Sequence, residues 1–466
     1  MGGARALVAG VDSSTQSTKV VVCDAETGEV LRAGRAPHPD GTEIDPRSWW
    51  AAYEQASAGL LDGVAAIGVA GQQQGMVCLD EAGEVLRPAI LWNDTRSANA
   101  AVDLTAEFGG PKAWADAVGL VPVASFTVTK LRWFSHAEPA LADRTSMVLL
   151  PHDWLTHRLR ADGGEPTTDR GEASGTGYWS PAAGAYRQDL VRLAFGRDVA
   201  LPRVAGPAEV VGETASGALL SAGTGDTMGG ALGVGLRPGD VVVSLGTSGC
   251  VYGLSDVPTA DASGLVAGYA DATGRFLPLV CTLNAARVLV TVADLLGRSL
   301  AELDELALSA QPGAGGLTLL PYLDGERTPN LPDARGLLAG LTRANASAAN
   351  LARAAVEGML GGIADALHAL RAQDVPVDRV LLIGGAAQSR AVRAVAPALF
   401  GASVSVPRPA EYVALGAARQ AAWALSGEAA PPSWPVAAED VTAAADTPEV
   451  YERYVTVRQQ ALPLLT

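Results

Sequence analysis

The apolar positions of this chain fall into two rhythms. Runs of about four to eight apolar residues bounded by Gly, Asp, Asn or Ser read as strands, and stretches with apolar residues three and four apart read as amphipathic helices. Residues 6–35, ALVAGVDSSTQSTKVVVCDAETGEVLRAGR, hold three apolar runs separated by a hydroxyl-rich turn and by residues 25–28, which predicts a β-meander. Asp45 and Pro46 then supply an N-cap and a first helical residue for RSWWAAYEQASAGLL, a helix whose Trp49, Trp50 and Tyr53 are expected in the core. A strand follows at 64–70 and ends in GQQQG, and a second hairpin through 81–83 leads to AILWNDTRS. The pattern next predicts a helix at 125–138, a strand at 147–150, a helix opening at PHDWL in which Asp153 either caps or binds, and a strand from Ala218. Residues 167–179, TTDRGEASGTGYW, are rich in hydroxyls and glycine and read as a loop, while 202–213 lack periodicity and read as a connection.

The second half echoes the first. Residues 239–255, GDVVVSLGTSGCVYGLS, repeat the order of apolar run, hydroxyl and glycine turn, apolar run, which predicts an internal duplication. Amphipathic helices are expected at 301–310 and 347–370 with a proline-punctuated loop between them. A buried strand at 379–383 runs into GGAAQS and another helix, and an alanine-rich helix at 411–425, an Ala/Pro linker at 429–445 and a terminal helix at 448–462 follow.

Several of these segments carry chemistry. Residues 222–235, AGTGDTMGGALGVG, contain one ionisable group, Asp226, on a glycine-rich shelf ahead of a helix of small residues. Such a helix N-terminus favours the ionised carboxylate, so Asp226 either caps the helix or serves as a general base that takes a proton from a hydroxyl. The turn 12–19 packs Asp12, hydroxyls at 13, 14, 15, 17 and 18, Gln16 and Lys19 between two strands. That density of donors suits phosphate oxygens, with Lys19 as a point charge and Asp12 placed for hydrated Mg²⁺; the alternative is a plain polar hairpin tip. No Walker A spacing is present, which excludes a P-loop. The second turn, 246–249, keeps the hydroxyls and amides and drops the acid. The amides of GQQQG can donate and accept together, as sugar hydroxyls require, although a solvated loop fits them as well. Trp92, Asn93 and Asp94 set an apolar plate beside polar tips, which suits a polyol, and the glycine turn 384–389 lets a flat adenosine ring lie against the backbone.

Composition narrows the partners. Of 466 residues 48% are hydrophobic and 18% charged, a globular balance with length for roughly two to four domains. A net charge of −16 argues against a nucleic-acid partner or an anionic membrane surface. The first residues reach an acid before an apolar signal core develops, and no apolar run approaches the ~18 residues of a membrane span, so a cytoplasmic protein is expected. The cysteines, at 23, 78, 250 and 281, lack CxxC spacing and are expected to be reduced and mostly in the core. Lysine occurs only at 19, 112 and 130.

Together these stretches resemble the FGGY family of carbohydrate kinases over nearly the whole chain. GLLAGLTRANASAANLARAAVE, 336–357, is similar to the family's C-terminal signature, and SFTVTKLRWF around Lys130 resembles its N-terminal signature more loosely. LRPAILWNDTR, LPYLDGERTP, VSLGTSG and LLIGGAAQS are similar to stretches that occur in the same order in members acting on D-xylulose. The resemblance implies an α/β fold of two actin-like, ribonuclease H-like ATPase lobes, residues 1–236 and 237–466, around a central cleft where ATP, Mg²⁺ and a sugar meet. It implies that Asp226 is the base, that Asp12 holds metal-bound water, and that Thr15, Gln16, Ser17, Lys19, Gly246 and Thr247 face phosphate. Gly384, Gly385, Ala386 and Ser389 would line the adenosine pocket, and the sugar would lie near Gln73, Gln74, Trp92, Asn93, Asp94, Asp226 and Thr227. Two positions depart from the pattern: Gln74 stands where members acting on D-xylulose have His, and Thr227 where they have Asn. The expected reaction is phosphorylation of a ketopentose, D-xylulose first. Another pentulose such as ribulose, or an erythritol-, arabitol- or glycerol-like polyol, is the alternative, and an actin-like ATPase switch without a sugar site is the remoter one. A homodimer is among the assemblies the sequence leaves open.

Overall fold

The computed structural model describes residues 5–441 and 447–465, so the last part of the expected linker, 442–445, lies outside the described residues. The chain divides into two compact units: Met1–Leu236 with Asp256–Leu277 and Ala410–Val436, and Arg237–Ser255 with Pro278–Pro409 and Ala437–Thr466.

In unit 1 the meander forms as Leu7–Ser13, Ser17–Asp24 and Val30–Pro37, each antiparallel to the next. Val64–Gly71 lies parallel to Leu7–Ser13, Leu219–Ser221 parallel to Val64–Gly71, and Val210–Glu213 closes the edge antiparallel to Leu219–Ser221. In unit 2 the strand ending at Thr282, then Gly249–Gly253 and Asp240–Leu245, make the same antiparallel series. Arg379–Ile383 and Ser403–Pro407 continue it in parallel, and Ala438–Val441 ends it antiparallel. The two sheets thus share one succession of pairings, which is the duplication that the two hairpins predict.

Both faces of the first sheet are covered. Trp49, Ala52 and Ala56 of the helix Pro46–Ser57 pack on one side, with Asp45 capping that helix by accepting from Arg47 N. On the other side Ala414, Ala418 and Ala421 of the helix Tyr412–Ser426 meet Val8, Val21 and Ala66. This helix comes so close that side chains are excluded. A Cβ added at Gly10 would lie 1.9 Å from Ala414 O, at Gly68 2.2 Å from Ala417 O, and at Gly233 1.9 Å from Tyr412 O.

Several elements differ from the sequence reading, each because a partner distant in the chain completes it. Residues 167–179 are not a loop: Thr167–Asp169 is a strand paired with Arg203–Ala205, and Asp169 caps the helix Arg170–Ser174 by accepting from Gly171 N and Glu172 N. Residues 202–213 contain two strands rather than a bare connection, and 438–441 form the edge strand on Ser403–Pro407 rather than linker. Residues 256–277 return to unit 1 because Gly268 N donates to Gly119 O and Ala270 N to Ser174 Oγ; 410–436 return through the glycine contacts above. Among the described residues no helix is long and apolar enough to cross a membrane.

Gly416→Ala tests this packing, since its Cβ would fall 1.8 Å from Gly229 O and the two backbones would have to part. Stability is expected to fall by about 2–3 kcal/mol, read from the denaturant midpoint. Gly206→Ala, whose Cβ would meet only the Glu209 side chain at 3.8 Å, should stay within about 0.5 kcal/mol. Equal stabilities for the two variants would contradict the packing account.

Candidate active site

Three strand ends meet in unit 1. Ser13 lies opposite Gly71, and the short strand Thr224–Gly225 pairs with Ala70 and Gly71 of the same neighbour. The chain leaving each strand is therefore brought side by side: the hairpin tip at 14–16, the amides Gln72, Gln73 and Gln74, and the helix Asp226–Gly233. Carboxyl ends of parallel strands are where open α/β sheets bind ligands. Glycine is required on this shelf, because a Cβ at Gly225 would lie 2.6 Å from Glu172 Oε2 and 2.8 Å from Gln73 Cγ. Gln420, buried on the helix Tyr412–Ser426, accepts from Ser221 Oγ (3.2 Å) and donates to Gly223 O (2.9 Å), and so braces the turn that presents Asp226.

Asp226 does not cap its helix; Gly225 occupies the cap position and Asp226 is the first helical residue. Its carboxylate is half-buried, with Thr227 Oγ1 at 3.4 Å. Protein closes around it on most sides, and that burial, followed by the charge of Asp12, pushes its pKa up to about 7. Asp12 is itself fully buried and is raised by burial, against the opposing effects of a hydrogen bond from Ser14 Oγ and of Lys19, whose Nζ is 3.4 Å away. Lys19 also pairs with Glu411 at 2.6 Å.

The other expected residues of unit 1 fall into three groups. Gln73 is 9% exposed and its Nε2 finds no hydrogen-bond partner, nor do Ser13 Oγ and either end of the buried Gln72 amide. Buried polar atoms are normally paired, and these four are exceptions at the ends of neighbouring strands. Trp92, 45% exposed, donates Nε1 to Thr15 Oγ1 (2.9 Å) and ties its loop to the hairpin tip, where Gln16 is exposed, Ser17 is buried in the strand and Asn93 is open to solvent. Asp94 departs from the sugar-facing role expected for it. It is buried, Arg96 donates to both of its oxygens at 2.8 Å and Thr42 Oγ1 to Oδ2 at 2.7 Å, so its carboxylate is spent on ordering the loop.

Residues that the sequence reading left without a role surround Gln74. Lys130, fully buried, donates Nζ to Gln74 O (2.9 Å) and to Ser125 O, and burial pulls its pKa down to about 7. Glu172 accepts from Gln74 N (3.1 Å), and Gln74 Nε2 donates to Tyr269 OH (2.5 Å). Glu172 belongs to a buried group in which burial raises Asp153 and Glu172 well above the usual carboxylate range and Asp169 to about 6, and lowers His152 to about 3. Asp153 caps rather than binds, accepting from Leu150 N at 2.8 Å. The rarity of lysine and the signature-like stretch SFTVTKLRWF were the signals for Lys130; neither singled out Glu172 or Tyr269.

In unit 2 the expected nucleotide residues gather around one cavity of about 480 Å³. Gly246, Thr247, Gly385, Ala386 and Ser389 line it, against apolar walls that include Leu289, Val290 and Leu303. Gly384 must be glycine here: its φ is 91°, and a Cβ would stand 2.6 Å from Leu245 O. Ser389 caps the helix Arg390–Phe400 by accepting from Val392 N (3.1 Å) and donates to Asp304 Oδ1 (2.5 Å). Arg287, unforeseen, brings a cation to the hairpin tip, its Nε 3.4 Å from Thr247 O.

Unit 1 carries a glycine shelf bearing one half-buried acid, and unit 2 an apolar cavity under a hydroxyl-rich turn. Comparison with known proteins gives the family. Residues 7–233 match the N-terminal domain, and 241–425 the C-terminal domain, of the FGGY family of carbohydrate kinases. A xylulose kinase of Streptomyces coelicolor is 47% identical, the match covering 98% of this chain and 97% of that protein. A xylulose kinase of Streptomyces rubiginosus is 46% identical over the same shares. The crystal structure of xylulose kinase from Bifidobacterium adolescentis superposes with a TM-score of 0.92 at 44% identity, covering 97% of this chain and 99% of that one. The chain belongs to the FGGY family of carbohydrate kinases. It is an ATP-dependent sugar kinase with the two-lobed actin-like ATPase fold, which sets aside a sugar-independent ATPase switch.

Buried Lys130 makes stability depend on pH in a defined direction. Its folded pKa of about 7 lies below its usual 10.5, so between those values the unfolded chain binds more protons and stability rises with pH. Against Lys130→Met, wild type should gain up to about 1.4 kcal/mol per pH unit on going from about pH 7.5 to 9.5, read from denaturant midpoints. A difference that stays flat with pH would contradict a depressed Lys130.

Proposed function

We propose that this kinase transfers the γ-phosphoryl group of ATP to a hydroxyl of a ketopentose, D-xylulose first, yielding D-xylulose 5-phosphate. The observation that carries the reading is the half-buried Asp226 directly after Gly225, against which Gln73 packs with its buried amide nitrogen unpaired. Relatives named for xylulose at 46% and 47% identity support the choice of sugar.

In this reading Asp226 takes the hydroxyl proton as the sugar oxygen bonds to the γ-phosphorus. The bond from that phosphorus to the β,γ-bridging oxygen breaks, and ADP leaves. A carboxyl that titrates near 7 is matched to base catalysis at neutral pH. Gln73, Gln74, Trp92 and Asn93 hold the sugar, while Asp94 acts through the loop it orders. Thr15, Gln16, Ser17 and Lys19 of unit 1 are phosphate-binding groups in this reading, as are Gly246 and Thr247 of unit 2. The cavity beside Gly384, Gly385, Ala386 and Ser389 takes adenosine, its apolar walls covering the purine.

Mg²⁺ fits the donor set. Asp12 and Asp226 are two carboxylates that burial raises above their usual range, Asp226 also by the charge of Asp12, and one or two carboxylates plus nucleotide phosphates are the usual ligands of this ion. No group of three or more His, Cys, Asp or Glu side chains suited to a metal occurs among the described residues, so Asp12 would hold an ion that arrives with ATP and offsets phosphate charge. We place the enzyme in the cytoplasm, where ATP is at hand and four free cysteines stay reduced.

A second sugar class is favoured by one observation. Gln74 commits its amide nitrogen to Tyr269, and Thr227 brings a single hydroxyl beside Asp226, so neither reproduces the His and Asn expected for D-xylulose. Another pentulose or a polyol is the runner-up. Steady-state kinetics over pentuloses, hexuloses and polyols decides between them: the reading predicts the highest kcat/KM for D-xylulose, and a polyol at the head of the ranking would overturn that choice. In the same assay Asp226→Asn should lose ~10²–10⁴-fold in kcat while its ATP affinity stays within twofold, roughly. Near-normal turnover in that variant would remove Asp226 from the mechanism.

A further inference from the structure

Gln74 has a left-handed backbone, φ 65°, which a residue other than glycine keeps only when its surroundings impose it. The surroundings here hold every polar group of its main chain. Its N–H donates to Glu172 Oε1 (3.1 Å), and its carbonyl accepts from Lys130 Nζ (2.9 Å) and Thr127 Oγ1 (3.2 Å). Its side chain donates Nε2 to Tyr269 OH at 2.5 Å. Lys130, Glu172, Thr127 and Tyr269 are all buried, and burying an amine and a carboxyl to hold one loop residue is costly unless that residue must be placed. A turn that needed only the left-handed conformation would be met by glycine at no strain.

We propose that Lys130, Glu172 and Tyr269 are positioning residues that make Gln74 the specificity-determining contact for the sugar, with Tyr269 fixing which end of the amide is presented. Tyr269 takes the Nε2 end, so Oε1 is the end offered as an acceptor, and the subsite selects a sugar that presents a hydroxyl donor to it. Tyr269 arrives on residues 256–277, which join unit 1 through the bonds to Gly119 and Ser174. Gly175 makes room for its ring, since a Cβ there would lie 2.9 Å from Tyr269 Cε1. This inference rests on the sugar-kinase reading and adds to it residues far apart in the chain.

The test is Tyr269→Phe, which keeps the ring and removes the hydroxyl, with Lys130→Met as a second variant. Sugar KM, ATP KM, kcat, the ranking of epimeric ketoses and the thermal midpoint are measured on the full-length enzyme. Tyr269→Phe is expected to raise KM for the best ketose about threefold to tenfold, the range of one lost hydrogen bond, and to narrow the ranking, with kcat and ATP KM within about twofold. Lys130→Met should raise sugar KM more than ATP KM. Unchanged sugar KM and ranking in Tyr269→Phe overturn the clamp while the kinase reading stands. A parallel rise of sugar and ATP KM overturns it as general damage. A wild-type enzyme that phosphorylates no ketose or polyol fails the functional reading itself, before any variant is compared.

Discussion

Backbone meets backbone where the helix Tyr412–Ser426 crosses the helix Asp226–Gly233 and the strands Leu7–Ser13 and Val64–Gly71, and the site in unit 1 depends on that contact. Gly10, Gly68, Gly233 and Gly416 each lie against a main-chain oxygen with no room for a side chain. Close approach of this kind gains dispersion contacts along the whole crossing and fixes its register. The register sets the chemistry. It delivers Gln420 to Ser221 and Gly223, and so locks the turn whose next residues carry Asp226. It also brings Glu411, at the entry of the same helix, to Lys19 and through Lys19 to Asp12. A stretch more than 180 residues beyond Asp226 in sequence thereby holds the ground on which that carboxyl stands.

Burial of the polar groups beneath this site sets their electrostatics. Asp12 and Asp226 are both raised because burial penalises their charge; the charge of Glu411 adds to the shift of Asp12, and that of Asp12 to the shift of Asp226. Lys130 is lowered by the same burial acting on a cation. Fixed hydrogen bonds replace water as the means of orienting groups, which is what electrostatic preorganisation requires. Unit 2 reuses the same sheet for a different task. Its hairpin turn has no acid, its strand Arg379–Ile383 ends in a glycine turn, and an apolar cavity occupies the ground beside it.

What could be read in the sequence was what the chain encodes locally. The two hairpins, the Asp45 cap, the glycine shelf of Asp226 and the strand, glycine turn and helix at 379–400 each follow from neighbouring residues. What could not be read depends on partners far away. Residues 167–179 look like a loop until Arg203–Ala205 pairs with them, and 438–441 look like linker until Ser403–Pro407 does. Asp94 has the residue type of a sugar ligand, and only Arg96 and Thr42 show that its oxygens are occupied. Tyr269 lies 195 positions from the amide it binds, and no spacing rule connects them.

This packing leaves Asp226 as a half-buried carboxyl poised near neutral pH, with Asp12 contributing to the shift. Carbon-13 NMR of carboxyl-labelled aspartate in the ligand-free enzyme, with the Asp226 signal assigned by difference from Asp226→Asn, measures it directly. A midpoint near 7 is expected, moving to lower pH in Asp12→Asn. A midpoint near the usual value of about 4, unmoved by that substitution, would contradict it.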